Sequence, residues 1–124
     1  MERLVQRTTY INRKHEAYKR KGHKDQVVVS IHIDSNSKST RQDVFFCHYR
    51  HSQRSKELAS QIRNTFAEKY EQYQKGRNYK GHLHERGIYV LRKTNPPAVL
   101  IELGNIKNTY NHKRILPALS LIHI

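Results

Sequence analysis

The chain has no tryptophan, a single cysteine (Cys47), three prolines, five glycines and only 10 acidic residues among its 124. One cysteine excludes an intrachain disulfide. It also excludes a zinc site built from several thiolates, so a metal would have to be held by histidine and carboxylate. The scarcity of acids against 24 Lys and Arg leaves a formal charge of +14 and a pI near 10.2. Such a field attracts polyanions: nucleic acid, an acidic membrane surface or an acidic cell-wall polymer. Nine histidines add to it below about pH 6.5. No apolar run approaches the ~18 residues of a membrane span, and the opening MERLVQRTTYINRKHEAYKRK lacks the apolar stretch of a secretory signal peptide. Hydrophobic residues make up 35%, which predicts one domain with a thin core.

What is present reads as alternating helices and strands. Residues 8–21, with Ile11, Ala17 and Tyr18 among basic residues and Gly22 behind them, predict a weakly amphipathic helix. VVVSIHI predicts a buried strand over 26–33, and DSNSKSTRQ after it a polar loop. DVFFCHY, 43–49, predicts a second strand by β-propensity. Leu58, Ala59, Ile62, Phe66, Tyr70 and Tyr73 recur at spacings of three and four, predicting a helix over 55–74 that Ser52 or Ser55 would cap. KGRNYKGHLHERG reads as a basic, glycine-punctuated loop, IYVLR (88–92) as a third strand, KTNPP as a rigid turn and AVLIEL (98–103) as a fourth strand. Apolar strands mixed with helices predict an α/β fold: a mixed, mainly parallel sheet with both faces covered by helices. Strands 26–33 and 98–103 are the expected inner ones. PALSLIHI, 117–124, continues no earlier pattern and reads as an atypical tail.

Two polar residues stand out against this apolar pattern. His32 and Glu102 each lie near the C-terminal end of an apolar strand, the edge where ligands gather in α/β sheets. A carboxylate there is costly unless it is paired, hydrogen-bonded or metal-bound. A metal ion would account for both, since neutral imidazole binds zinc and a nearby glutamate can take a proton from zinc-bound water. Taken alone, however, a histidine at a strand end is more often a hydrogen-bonded structural residue, and a strand glutamate is usually exposed or paired with Lys or Arg. Asp34, Ser35 and Asn36 are most simply a turn.

At these residues the sequence resembles a known family. VVVSIHIDSN is similar to the Ser-Ile-His-x-(Asn/Asp) strand of zinc-dependent N-acetylmuramoyl-L-alanine amidases, and GIYVLRKTNPPAVLIELGNIKN to their later YVLR and PAVL-(V/I)-E-x-G block. SKELASQIRNTFAEKY matches the helix between the two, and NRKHEAYKRKGHKDQ the helix before the histidine strand. The resemblance implies that 1–116 form part of an amidase catalytic domain, with His32 a ligand of Zn2+ and Glu102 the catalytic carboxylate. The implied substrate is peptidoglycan, cut between N-acetylmuramic acid and L-alanine in the extracytoplasmic space. The family also carries a Gly-His-Gly strand and a further glutamate ligand, neither of which this sequence contains, so the sheet is expected to be incomplete on its N-terminal side. His15, His23, His48, His51, His82, His84 and Glu85 are possible substitutes without supporting spacing; His82 and His84, two apart, would be the pair to chelate from a loop. Two alternatives stay open: an inactive peptidoglycan-binding remnant of the fold, and a basic nucleic-acid-binding protein using some of its eight tyrosines. The second is disfavoured because the basic residues are spread along the whole chain.

Overall fold

A computed structural model of the chain describes residues 1–34, 43–79, 81–105 and 108–109. Its elements run α1 (Glu2–Arg20), β1 (Val28–Asp34), β2 (Phe45–His48), α2 (Gln53–Tyr73), β3 (Leu83–Glu85), α3 (Tyr89–Lys93) and β4 (Ala98–Asn105). The strands form one sheet in the order β1-β4-β2-β3. β1 runs parallel to β4 and β3 parallel to β2, while β2 and β4 are antiparallel. The sheet is therefore mixed and mainly parallel, as expected. No helix among the described residues is long and apolar enough to cross a membrane.

β4 is paired on both sides, and its residues Ala98, Val99, Leu100 and Ile101 are all buried. Alternation sends them to two separate cores. On one face Val99 and Ile101 join Val44, Phe46 and Ala59, with Leu58, Ile62 and Phe66 of α2 packed against them. Phe46 and Phe66 meet edge to face at 5.3 Å, a favoured aromatic geometry. The apolar stripe of α2 thus lands where its spacing predicts. On the other face Ala98 and Leu100 join Cys47 and Leu91, with Val28, Phe45, Ile88 and Val90 around them.

Of the two candidate caps, Ser52 holds the start of α2, its oxygen accepting from Ser55 N at 3.2 Å. Ser55 does something else: its buried oxygen accepts from the backbone N–H of Ala98 at 3.0 Å and so ties the helix start to the start of β4.

Four expectations are corrected. Residues 88–92 do not form a strand; Tyr89–Lys93 is the short helix α3. Its β-propensity is overridden by tertiary ties: Leu91 is buried, Thr94 Oγ1 donates to Val90 O, and the Asn12 side chain of α1 bonds both Lys93 O and Asn95 N. Second, β1 is not an inner strand. It pairs with β4 alone among the described residues, and Val27, Val29 and Ile31 remain 54%, 45% and 63% exposed, because α2 lies over β2 and β4 instead. Cover on both faces therefore fails at this strand among the described residues. Third, the basic loop contains β3, held to β2 by bonds from Phe46 N to His82 O and from Arg86 N to His48 O. Fourth, α1 begins at Glu2 rather than residue 8. The expected loop at 35–42, the end of the catalytic block at 110–116 and the tail at 117–124 lie outside the described residues.

Replacing Ser55 with alanine leaves the buried Ala98 N–H without its acceptor, which should lower stability by about 1–3 kcal/mol. Ser52→Ala should cost about 1 kcal/mol, the usual worth of an N-cap. Urea midpoints of the two variants check the order; an equal or smaller loss for Ser55→Ala would contradict the tie.

Candidate active site

The parallel ladder starts where Val28 N donates to Pro97 O at 2.8 Å. From there it runs in register, Val28 against Ala98 through His32 against Glu102. Two residues 70 positions apart thus become cross-strand neighbours on one face of the sheet. His32 Nδ1 lies 3.8 Å from Glu102 Oε1. That exceeds a direct hydrogen bond and leaves the imidazole able to turn to another partner. The His32 side chain is 51% exposed and that of Glu102 17%, so the carboxylate sits at the edge of the core while the ring faces outward. The ladder becomes irregular just past this pair: Asp34 pairs with Asn105, and Gly104 between takes φ +152, a conformation that favours glycine. The regular register thus ends immediately beyond the two polar side chains.

Two features flank the pair. On the α1 side a cavity of about 430 Å³ is lined by Leu4, Arg7, Tyr10, Ile11, His32 and Val90 among others. This falls within the range of small-molecule sites, and its mostly apolar wall carries few polar groups besides His32 and Arg7. On the other side Phe45 of β2 stands directly opposite Glu102. The His84 ring meets Phe45 edge-on at 5.0 Å. Behind Phe45, burial pushes the Cys47 thiol pKa up; Arg86 pulls it back and Glu102 pushes it further up.

A partly shielded carboxylate beside an accessible imidazole can take a proton from a bound water and offer a nitrogen to a ligand. The pair does not by itself make a metal centre. A catalytic zinc needs three protein ligands, and no group of three or more His, Cys, Asp or Glu suited to a metal exists among the described residues. The histidines weighed as substitutes lie elsewhere. His23 packs on Tyr18, His51 on Tyr49, and His48 is buried with Nδ1 3.3 Å from Tyr49 O. His15 belongs to α1, and His82, His84 and Glu85 to the β3 segment. The residues that sequence reasoning missed are Phe45 and the α1 lining. Leu4, Arg7 and Ile11 follow helical spacing, so extending the helix upstream of residue 8 would have exposed that face.

A family model described as N-acetylmuramoyl-L-alanine amidase matches residues 2–117. Among solved structures, an N-acetylmuramoyl-L-alanine amidase from Clostridium difficile 630 is 25% identical with a TM-score of 0.69. The catalytic domain of the amidase CwlV from Bacillus (Paenibacillus) polymyxa var. colistinus is 26% identical with a TM-score of 0.66. Each match covers 91% of this chain and 54% of the other, so the chain spans about half the length of these relatives. The CwlD amidase from Clostridioides difficile, solved in complex with the GerS lipoprotein, is 29% identical over 70% of this chain and 42% of that one, with a TM-score of 0.55. A comparison with curated proteins gives no match.

The Cys47 thiol pKa is raised in the folded protein, chiefly by burial. Its protonated form is favoured in the folded state, so its contribution to stability is fully present below the ordinary value of 9.0 and is lost as pH rises through the higher folded value. Denaturation midpoints of the native chain should fall more steeply above pH 9 than those of Cys47→Ala. Parallel alkaline slopes would contradict this.

Proposed function

Because the chain belongs to the N-acetylmuramoyl-L-alanine amidase family, we propose that it serves hydrolysis of the amide between N-acetylmuramic acid and L-alanine of peptidoglycan, outside the cytoplasm. The observation that carries this reading is the in-register His32–Glu102 pair, 3.8 Å apart at the end of two apolar strands. Amide hydrolysis needs a base for the attacking water and an acid for the leaving nitrogen. Glu102 suits both, first accepting the water's proton and then delivering it to the departing amine. Its flank of β4 backbone and core holds the carboxylate in one place, which spares the reaction the entropy of positioning it. His32 would provide one ligand to the zinc that the family implies. The donor set of the described residues does not complete such a site, so the residues present do not by themselves fit the metal. The formal charge of +14 suits an anionic cell-wall substrate.

A second reading, a peptidoglycan-binding remnant without turnover, is favoured by that same donor count. Against the nucleic-acid reading, Tyr70 and Tyr79 are engaged within the chain: they stack on each other at 4.2 Å, Arg77 lies over Tyr70, and Tyr79 donates to Val44 O, while Tyr10, Tyr18 and Tyr73 stay exposed.

The test uses muropeptide release with added zinc, in the longest native polypeptide that carries these residues. Glu102→Gln should lower the rate by about 10²- to 10⁴-fold, the usual worth of a positioned acid–base group. Retention of activity within tenfold would contradict the role of Glu102. Saturable peptidoglycan binding with no turnover in any version would favour the remnant. The 124-residue chain alone is expected to bind zinc weakly and release no peptide, because one imidazole and one carboxylate do not make a tetrahedral site. Tight zinc binding by the isolated chain in a calorimetric titration would overturn that expectation.

A further inference from the structure

The cavity between α1 and β1 is left without an occupant by the proposed chemistry. It encloses about 430 Å³, and its apolar wall is Leu4, Tyr10 and Ile11 of α1 with Ile88 and Val90 at the start of α3. Ile88 and Val90 also rim the core of Leu91, Ala98 and Leu100, so the cavity continues that core outward as unfilled space. Its polar groups are few: Gln6, Arg7, Ser30 and His32. Ser30 and His32 alternate along β1 and share the face that Val28 turns to the core. Arg7 makes no ion pair among the described residues: the two pairs found there are His32–Glu102 and Arg77–Asp43. Beside it Lys14 Nζ lies over the exposed Tyr10 ring at 5.7 Å and adds a second positive charge near the cavity. No acid is part of the wall. The two nearest lie behind lining residues: Glu2 accepts from Gln6 Nε2 at 3.5 Å, and Glu102 faces His32 Nδ1 at 3.8 Å.

We propose that this cavity binds an organic acid whose apolar body, a medium-length chain or a single ring, fills it and whose carboxylate meets Arg7. The size lies within the range of small-molecule sites, which are mostly apolar with a few polar groups that fix orientation. Burying an apolar body against the branched side chains of Leu4, Ile11, Ile88 and Val90 supplies the attraction. The charge around the cavity selects the head group. A guanidinium is permanently charged and meets a carboxylate with two parallel hydrogen bonds, which a neutral amide or alcohol cannot match. Two cations on the α1 side and no acid in the wall favour an anion over a neutral or cationic head. The body of such a ligand lies beside the His32 ring, on the α1 side of the candidate pair. The inference does not depend on hydrolysis, because binding is expected with or without turnover.

The test is a titration of the chain with octanoate and with octanamide at low salt, followed by the NMR signals of the histidine rings. The acid should bind about fivefold more tightly than the amide, the order of one exposed ion pair. Both should move the His32 signals and leave those of His23, which packs on Tyr18 and is not part of the wall. Arg7→Gln should erase the preference for the acid. Leu4→Ala, at a partly exposed position of the wall, should weaken acid and amide alike by about fourfold, the worth of one buried methylene. Arg54→Gln, an exposed arginine on α2, controls for the overall positive field and should leave the preference intact. Equal binding of acid and amide would overturn the assignment of an acid, and so would an equal loss in Arg54→Gln, which would trace the preference to net charge. His23 signals moving in step with those of His32, or unchanged affinity in Leu4→Ala, would place the ligand outside the cavity and overturn the site. Failure of both ligands to bind a chain shown folded by circular dichroism would overturn it as well, while leaving the roles of His32 and Glu102 untouched.

Discussion

Everything that positions the candidate site depends on β4. It is paired on both sides and buried on both faces, so its backbone groups are satisfied by neighbours and its side chains fill two cores. Such a strand has one possible register against β1. A slip of one residue would turn Val28, Ser30 and His32 to the α2 side and bring the exposed Val29 and Ile31 onto Leu91 and Leu100. The register is held at its start by Pro97 O with Val28 N and by Ser55 with Ala98 N. Glu102 follows directly on the buried run Ala98–Ile101 of β4, opposite the one histidine of β1. The hydrophobic ladder is what brings these two residues, distant in sequence, side by side.

The legible part of this protein was the part dominated by local pattern. The stripe of Leu58, Ile62 and Phe66 is helical by spacing alone, and it packs on Phe46, Val99 and Ile101. The apolar runs around His32 and Glu102 are strands by composition, and their polar ends invited the pairing that the ladder produces. The illegible parts were decided by contacts far away in sequence. Tyr89–Lys93 has strand-like residues but is pinned as a helix by Asn12, 81 residues upstream of Lys93. Leu83–Glu85 is too short and too polar to signal a strand, and exists because β2 offers it a parallel edge. That β1 has β4 as its single strand neighbour among the described residues could not be read from Val27, Val29 and Ile31, whose apolar character suits an inner strand; their exposure is visible only once α2 is seen to lie elsewhere.

Electrostatics divides the site in two. Positive charge is abundant over the chain, yet the sheet end holds a carboxylate at its centre, with His32 on one side and the ring of Phe45 on the other. A general field of this sign attracts polyanions, while Glu102 places a carboxylate at the sheet end itself. The apolar cavity beside α1 lies on the His32 side of the pair.

The central claim is that His32 and Glu102 form one site, and a double-mutant cycle tests it most directly. Hydrolysis rates would be measured for His32→Ala, Glu102→Gln and the double variant, in the longest native polypeptide that carries them, with zinc present. Residues that act as a unit are grossly non-additive, so the account predicts that the double variant is about as slow as the slower single one. Losses that multiply, as they do for independent sites, would contradict it.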